Sequence, residues 1–212
     1  MAAADPDAGR RAAPFRVGIF GGSFDPPHVG HLLAASDAIE TLALDRLLFI
    51  PAATQPLKHP ARRPASAALR VAMVEALVGD DPRFAVDALE IDRGGLSYTV
   101  NTLEHLAARW PDAHRTLLVG ADVLGTFDRW RDPLRVRALA TLVVLVRAVD
   151  AAGFVPVAVP PDFPGGPPRL LSTRRIDLSS TEVRDRVAAG RSVRGFVPDG
   201  VAAIIRDAGL YQ

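Results

Sequence analysis

The 212-residue chain contains no cysteine. That excludes disulfide bonds, thiolate nucleophiles and cysteine-ligated zinc or iron–sulfur centres, and it suits a reducing compartment. A charge of one sign is also lacking: 25 Lys and Arg stand against 24 Asp and Glu, a formal net charge of +1. No overall field therefore draws the chain to nucleic acid or to a membrane surface, and any anion site has to be local. Long apolar runs are missing too, with none near the ~18 residues of a membrane span. Arg10 and Arg11 are followed by no apolar stretch of export-signal length. These absences predict a soluble cytoplasmic protein.

At this length a single compact domain is expected, burying roughly 70% of its unfolded surface. Residues 1–14 are small or charged and without periodicity, so they read as a disordered tail, with 15–212 as the domain. Apolar runs at 17–20, 47–50, 116–119 and 142–146 alternate with helical periodicity over 31–42, 66–78, 99–110, 180–189 and 198–208. Weaker strands fall at 84–86 and near 169–171. The alternation predicts βαβ units, hence an α/β, Rossmann-like three-layer fold with a mainly parallel central sheet and helices on both faces. Gly190 and Gly209 stand where helix C-caps are expected. The 51–64 connection carries Lys58, His59, Arg62 and Arg63 among prolines, a basic loop where open α/β sheets bind ligands. Residues 153–168, rich in proline and glycine, read as an extended surface loop without chemistry.

The most informative stretch is residues 17–31, where an apolar strand runs into Gly21 and Gly22, then Ser23, Phe24 and Asp25, and then His28, Gly30 and His31. Glycines let a backbone approach a ligand, and the first turn of the helix that follows offers N–H groups to an anion. His28 and His31, at i and i+3, share one helical face, and Gly30 leaves room for a ligand beside them. Plainer readings exist: Asp25 as an N-cap before Pro26 and Pro27, or a metal held by the two histidines and Asp25. No further cluster at metal-ligand spacing supports the second. The G-x-G-x-x-G pattern of dinucleotide folds is absent. A second candidate is Ser179-Ser180-Thr181-Glu182-Val183-Arg184. It reads as a capping box, yet it leaves two hydroxyls and an arginine on the first turns to hold an anion.

Gly-Ser-Phe-Asp-Pro-Pro-His-Val-Gly-His resembles the His-x-Gly-His signature of the nucleotidylyltransferase superfamily, and the 178–184 string resembles its Ile-Ser-Ser-Thr-x-x-Arg motif, with Leu178 for Ile. The resemblance implies ATP held by Gly21, Gly22, Ser23, Phe24, Gly30 and Asp122, with Ser180, Thr181 and Arg184 on its β and γ phosphates. Three shorter stretches are similar to nicotinate mononucleotide adenylyltransferases of bacterial type: Ser97-Tyr98-Thr99, Gly120-Ala121-Asp122, and Trp130-Arg131-Asp132, with Leu210-Tyr211 closing the likeness. Ser97 or Thr99 could equally be a plain N-cap, and Trp130 a half-buried aromatic. Within the resemblance, Ser97, Tyr98, Thr99 and Trp130 would receive the mononucleotide, with indole stacked on its pyridine ring. His28, His31, Lys58 and Arg184 would be catalytic, although Lys58 and His59 both remain open as the basic group on phosphate. The implied reaction joins ATP and nicotinate mononucleotide into nicotinate adenine dinucleotide and pyrophosphate, a step of NAD biosynthesis. Mg²⁺ is expected to ride on ATP, since no carboxylate cage is present. The alternatives are a sister enzyme using nicotinamide mononucleotide or another phosphate, and a non-catalytic nucleotide-binding regulator.

Overall fold

A computed structural model describes residues 14–57, 64–147, 158–174 and 176–212. Six strands form one sheet: β1 (Arg16–Gly22), β2 (Arg46–Pro51), β3 (Phe84–Val86), β4 (His114–Gly120), β5 (Thr141–Arg147) and β6 (Arg169–Thr173). Their order is β3-β2-β1-β4-β5-β6 and every pairing is parallel. β1 lies between β2 and β4, with Phe20 opposite Phe49 on one side and Leu118 on the other. The chain winds outward from β1 in one direction and then restarts at β4 in the other. The crevice beyond the carboxyl ends of β1 and β4 is thus the topological switch point, where open α/β sheets take ligands.

Side chains alternate across this sheet with period two, and both faces are buried. Phe20, Leu47, Phe49, Leu118, Val143, Leu145 and Leu171 face one core. Val17, Ile19, Leu48, Ile50, Leu117, Val119, Leu142, Val144 and Val146 face the other. The first core is roofed by α1 (Val29–Leu42), α2 (Ala67–Val78), α6 (Ser180–Ala188) and α7 (Asp199–Asp207), which supply Ala35, Ile39, Met73, Leu77, Val183 and Val201. The second is roofed by α3 (Leu89–Arg93), α4 (Thr99–Arg109) and α5 (Pro133–Leu139), together with two 3-10 turns, Ala121–Gly125 and Phe127–Arg129. Val100, Leu103 and Leu106 form the buried stripe of α4 at helical spacing.

The expected helices and strands are all present, with ends moved by one or two residues. Gly190 and Gly209 follow the caps Ala189 and Ala208 in left-handed backbone, as residues one past a cap do. The short α3, α5 and 3-10 turns were not expected, because three to seven residues carry too little periodicity to register. The 153–168 connection differs from the expected surface loop where it is described. Phe163 is buried and stacks on Phe127, with ring centroids 4.9 Å apart and planes 7° from parallel. Arg137 Nη2 donates to the carbonyls of Gly165, Gly166 and Pro167. Residues 1–13, Lys58 and His59 lie outside the described residues.

Gly18, in the middle of β1, sits where a Cβ would stand 2.7 Å from Leu44 Cδ1 and 3.2 Å from Leu47 Cγ. Overfilling a packed core of this kind destabilises by about 1–3 kcal/mol. Gly18→Ala is expected to lower the urea midpoint by an amount in that range at unchanged m-value. An unchanged midpoint would show that Leu44 yields without loss.

Candidate active site

The turn after β1 is shaped by aromatic packing. Gly22 has no Cβ, and the Phe24 ring fills the space, its atoms 3.0–3.2 Å from where a Cβ would stand. Phe24 takes a left-handed backbone (φ 48°), which a bulky residue adopts only when its surroundings compel it. Its ring is 2% exposed and packs edge-on to Phe20, Phe49 and His31. The Phe24 side chain is therefore core, and it anchors the loop after β1.

His28, not Asp25, is the N-cap of α1. The imidazoles of His28 and His31 lie 3.8 Å apart, centroid to centroid. The His28 N–H donates to His31 Nδ1 at 3.2 Å, so a neutral His31 carries its proton on Nε2 and presents that atom as a donor. Gly30 differs from the expected ligand space: a Cβ there would stand 3.0 Å from His28 Nδ1 and 3.6 Å from Ile176 Cγ2, so the glycine makes room for the His28 ring. The first turn of α1 is also less open than a bare helix start. Val29 N–H donates to Phe196 O and His31 N–H to His28 O.

The start of α6 docks onto this loop. Ser180 Oγ donates to Pro26 O at 2.8 Å, and Arg184 Nη1 donates to Asp25 O at 2.8 Å. Arg184 Nη2 donates to Thr181 Oγ1 at 2.9 Å. A guanidinium has five N–H donors, so Arg184 keeps others for a phosphate, and Thr181 keeps its own O–H. Ser180 departs from the expected role: its hydroxyl hydrogen is committed to Pro26, leaving its backbone N–H as the donor. Ser179 caps the helix, accepting from Glu182 N–H.

Beneath both loops lies Arg70, 4% exposed, which the sequence reading missed. Its guanidinium donates to three carbonyls: Ser23 at 2.8 Å, Ala65 at 3.2 Å and Ala53 at 3.4 Å. Burial lowers its pKa from the ordinary arginine value, and the nearby Asp25 and Tyr211 oppose the shift. An arginine at helical spacing with Met73, Val74 and Leu77, on the buried face of α2, was the available signal. Asp25 Oδ1 accepts from Ala65 N–H and from the Tyr211 hydroxyl.

Across the switch point stands the start of α4. Tyr98 is its N-cap and makes no side-chain cap bond, so neither Ser97 nor Thr99 is the cap. Ser97 is instead tied to the loop after β2: its Oγ accepts from Ala53 N–H at 2.9 Å and its N–H donates to Thr54 O at 2.8 Å. Asn101 N–H turns back to Tyr98 O, while Thr99 is the first helical residue, whose N–H has no partner in its own helix. Arg131 lies over the Tyr98 ring at 4.8 Å. Trp130 is half-buried and leans on Phe127 at 5.2 Å. Ser23 Oγ–H donates to Gln55 Oε1, linking the loop after β1 to the same loop that holds Ser97. Gly120 leaves space for Asp122, whose Oδ1 would meet a Cβ there at 2.6 Å, at the carboxyl end of β4.

The described donors here are imidazole, hydroxyl, guanidinium and backbone N–H, a set that fits phosphate oxygens and not a bare cation. Residues 19–186 match the cytidylyltransferase-like family model. A Gemmatimonas aurantiaca protein named as a probable nicotinate-nucleotide adenylyltransferase is 53% identical over 198 residues, covering 93% of this chain and 92% of its own length. A Thermus thermophilus protein of the same name is 43% identical, covering 93% and 100%. Among solved structures, a Plasmodium falciparum nicotinic acid mononucleotide adenylyltransferase complexed with NaAD superposes at TM-score 0.70 over 93% of this chain and 97% of that one. Its 14% identity carries the fold alone. Fold, motifs and relatives converge: the chain belongs to the cytidylyltransferase-like family and, within it, to the nicotinate-nucleotide adenylyltransferases.

Proposed function

We propose that this chain transfers AMP from ATP to nicotinate mononucleotide, releasing pyrophosphate. The observation that carries the reading is the docking of α6 onto the loop that ends in His28, through Ser180 on Pro26 O and Arg184 on Asp25 O. It gathers His28, His31, Thr181 and Arg184 on one side of the switch point, with the free start of α4 and Trp130 on the other.

A phosphate oxygen of the mononucleotide bonds to the α-phosphorus of ATP as the bond to the α–β bridging oxygen breaks, and pyrophosphate leaves with that oxygen. The nucleophile is already anionic, so no general base is needed. Catalysis is alignment and neutralisation of charge. His31 Nε2–H and His28 serve the α-phosphate oxygens, while Arg184, Thr181 and the N–H groups of α6 serve the departing pyrophosphate. Lys58, outside the described residues, is proposed as a further cation on the triphosphate. Gly21, Gly22 and Ser23 supply backbone at the ATP side, and Asp122 faces the nucleoside end. Mg²⁺ is assigned to the triphosphate it accompanies, and no step is routed through it.

Replacing His31 or His28 by Ala is expected to lower kcat by about 10²–10³, the loss of one transition-state donor. Near-normal turnover in both variants, followed by pyrophosphate release, would remove these rings from the chemistry.

Acceptor choice gives a sharper test. Thr99 is the first residue of α4, a position where proline is tolerated, and Tyr98 before it already has extended backbone (φ −84°, ψ 120°). Thr99→Pro thus deletes one N–H without breaking the helix. The acid mononucleotide should lose about 10-fold or more in kcat/KM while the amide changes little, because only the carboxylate uses that charge-assisted donor. Trp130→Ala should raise KM for both acceptors alike. Equal losses for acid and amide in Thr99→Pro would place carboxylate recognition elsewhere, and a wild-type enzyme using the amide as well as the acid would move the chain to the sister activity.

A further inference from the structure

We propose that Tyr211 is a positioning residue for the transfer step, acting through Asp25 on Arg184 and on the loop that carries His28; this rests on the function proposed above. Tyr211 follows α7, is 7% exposed, and takes left-handed backbone at φ 67°. An aromatic residue in that region is strained, so its surroundings have to hold it there. The turn that holds it is defined: Gly209 has φ 58°, and Leu210 N–H donates to Ile205 O at 2.9 Å. α7 is pressed against α2, where Gly200 meets the Ala76 Cβ so closely that a Cβ of its own would stand 3.2 Å away.

The hydroxyl thus directed inward donates to Asp25 Oδ1 at 2.6 Å. Asp25 is 9% exposed and works from both ends. Its carboxylate takes Tyr211 O–H and Ala65 N–H, and its carbonyl takes Arg184 Nη1. The chain from Tyr211 to the proposed phosphate-binding guanidinium is therefore two hydrogen bonds long and passes through a single residue. Arg70 supplies the compensating charge nearby and holds Ser23 and Ala65, the residues on either side of this contact. A phenyl ring would fill the same space. What the hydroxyl adds is a fixed rotamer for Asp25, and with it the height of the Asp25 carbonyl under Arg184.

The test is Tyr211→Phe, which keeps the ring and removes the hydroxyl, with Asp25→Asn and the double variant. Tyr211→Phe is expected to lower kcat about tenfold with the mononucleotide KM held within about twofold, the size of one buried hydrogen bond to a charged partner. The double variant should lose no more than the larger single effect, because both act through one contact. In ¹⁵N-labelled protein without substrates, the ring signals of His28 and His31 should shift in Tyr211→Phe, while those of His105 and His114, on α4 and β4, stay in place. Additive single effects, or wild-type kcat together with unmoved His28 and His31 signals, would reduce Tyr211 to packing and overturn the proposal. The ring signals need no turnover. A wild-type chain that released no pyrophosphate would therefore refute the proposed reaction while the spectra still decide the positioning.

Discussion

The Arg70 guanidinium is buried in a stripe of α2 that is otherwise apolar, and a buried charge has to be met by oriented dipoles. The dipoles it finds are carbonyls of Ser23, Ala53 and Ala65, which belong to the loop after β1 and to both ends of the connection after β2. Where described, those loops carry little regular structure of their own. Meeting the charge draws them to one point at the carboxyl ends of adjacent strands, and the rest of the site is arranged around that point. Ser23 reaches Gln55, Ala53 reaches Ser97, and α6 closes over Asp25 and Pro26.

In the proposed reading, two kinds of recognition are separated by the switch point. On the side of β1 and α6 the groups are charged or carry mobile protons, suited to oxygens whose charge changes during transfer. On the side of α4 the groups are a helix start and stacked rings. Trp130, Phe127 and Phe163 form a column rooted in the second core. In that reading the fixed dipoles of the helix start distinguish a planar acid from its amide, the flat aromatic surface holds either ring, and both change little as the reaction proceeds. Residues 158–168 belong to this side as support, since Phe163 comes from them.

The strands were legible because a parallel sheet covered on both faces needs continuous apolar runs, and the long helices because their stripes repeat over three turns or more. The residues that gather around the loop after β1 were legible by motif. What no local pattern carried was the second use of each group. Gly30 reads as open space, yet it houses the His28 ring; Ser180 reads as a ligand hydroxyl, yet it bonds Pro26; Ser97 reads as a mononucleotide ligand or a plain cap, yet it ties α4 to the loop after β2. Each of these roles depends on a partner far away in the chain. The contacts that Arg70 and Tyr211 make with the loop after β1 lay beyond local pattern for the same reason, while the short α3 and α5 were missed for want of length.

The hydrogen bonds that finish the phosphate side join residues 154, 159 and 186 positions apart. Pairings this remote form late, since the loop they close has first to be ordered. On a ribosome adding about 5–20 residues per second, residue 25 waits roughly 10–40 s for residue 211 to be made. In the reading proposed above, a partly synthesised chain carries its histidine motif before the contacts that position it: Ser180 and Arg184 become available first, and the Tyr211 hydroxyl only once the segment after α7 has been made.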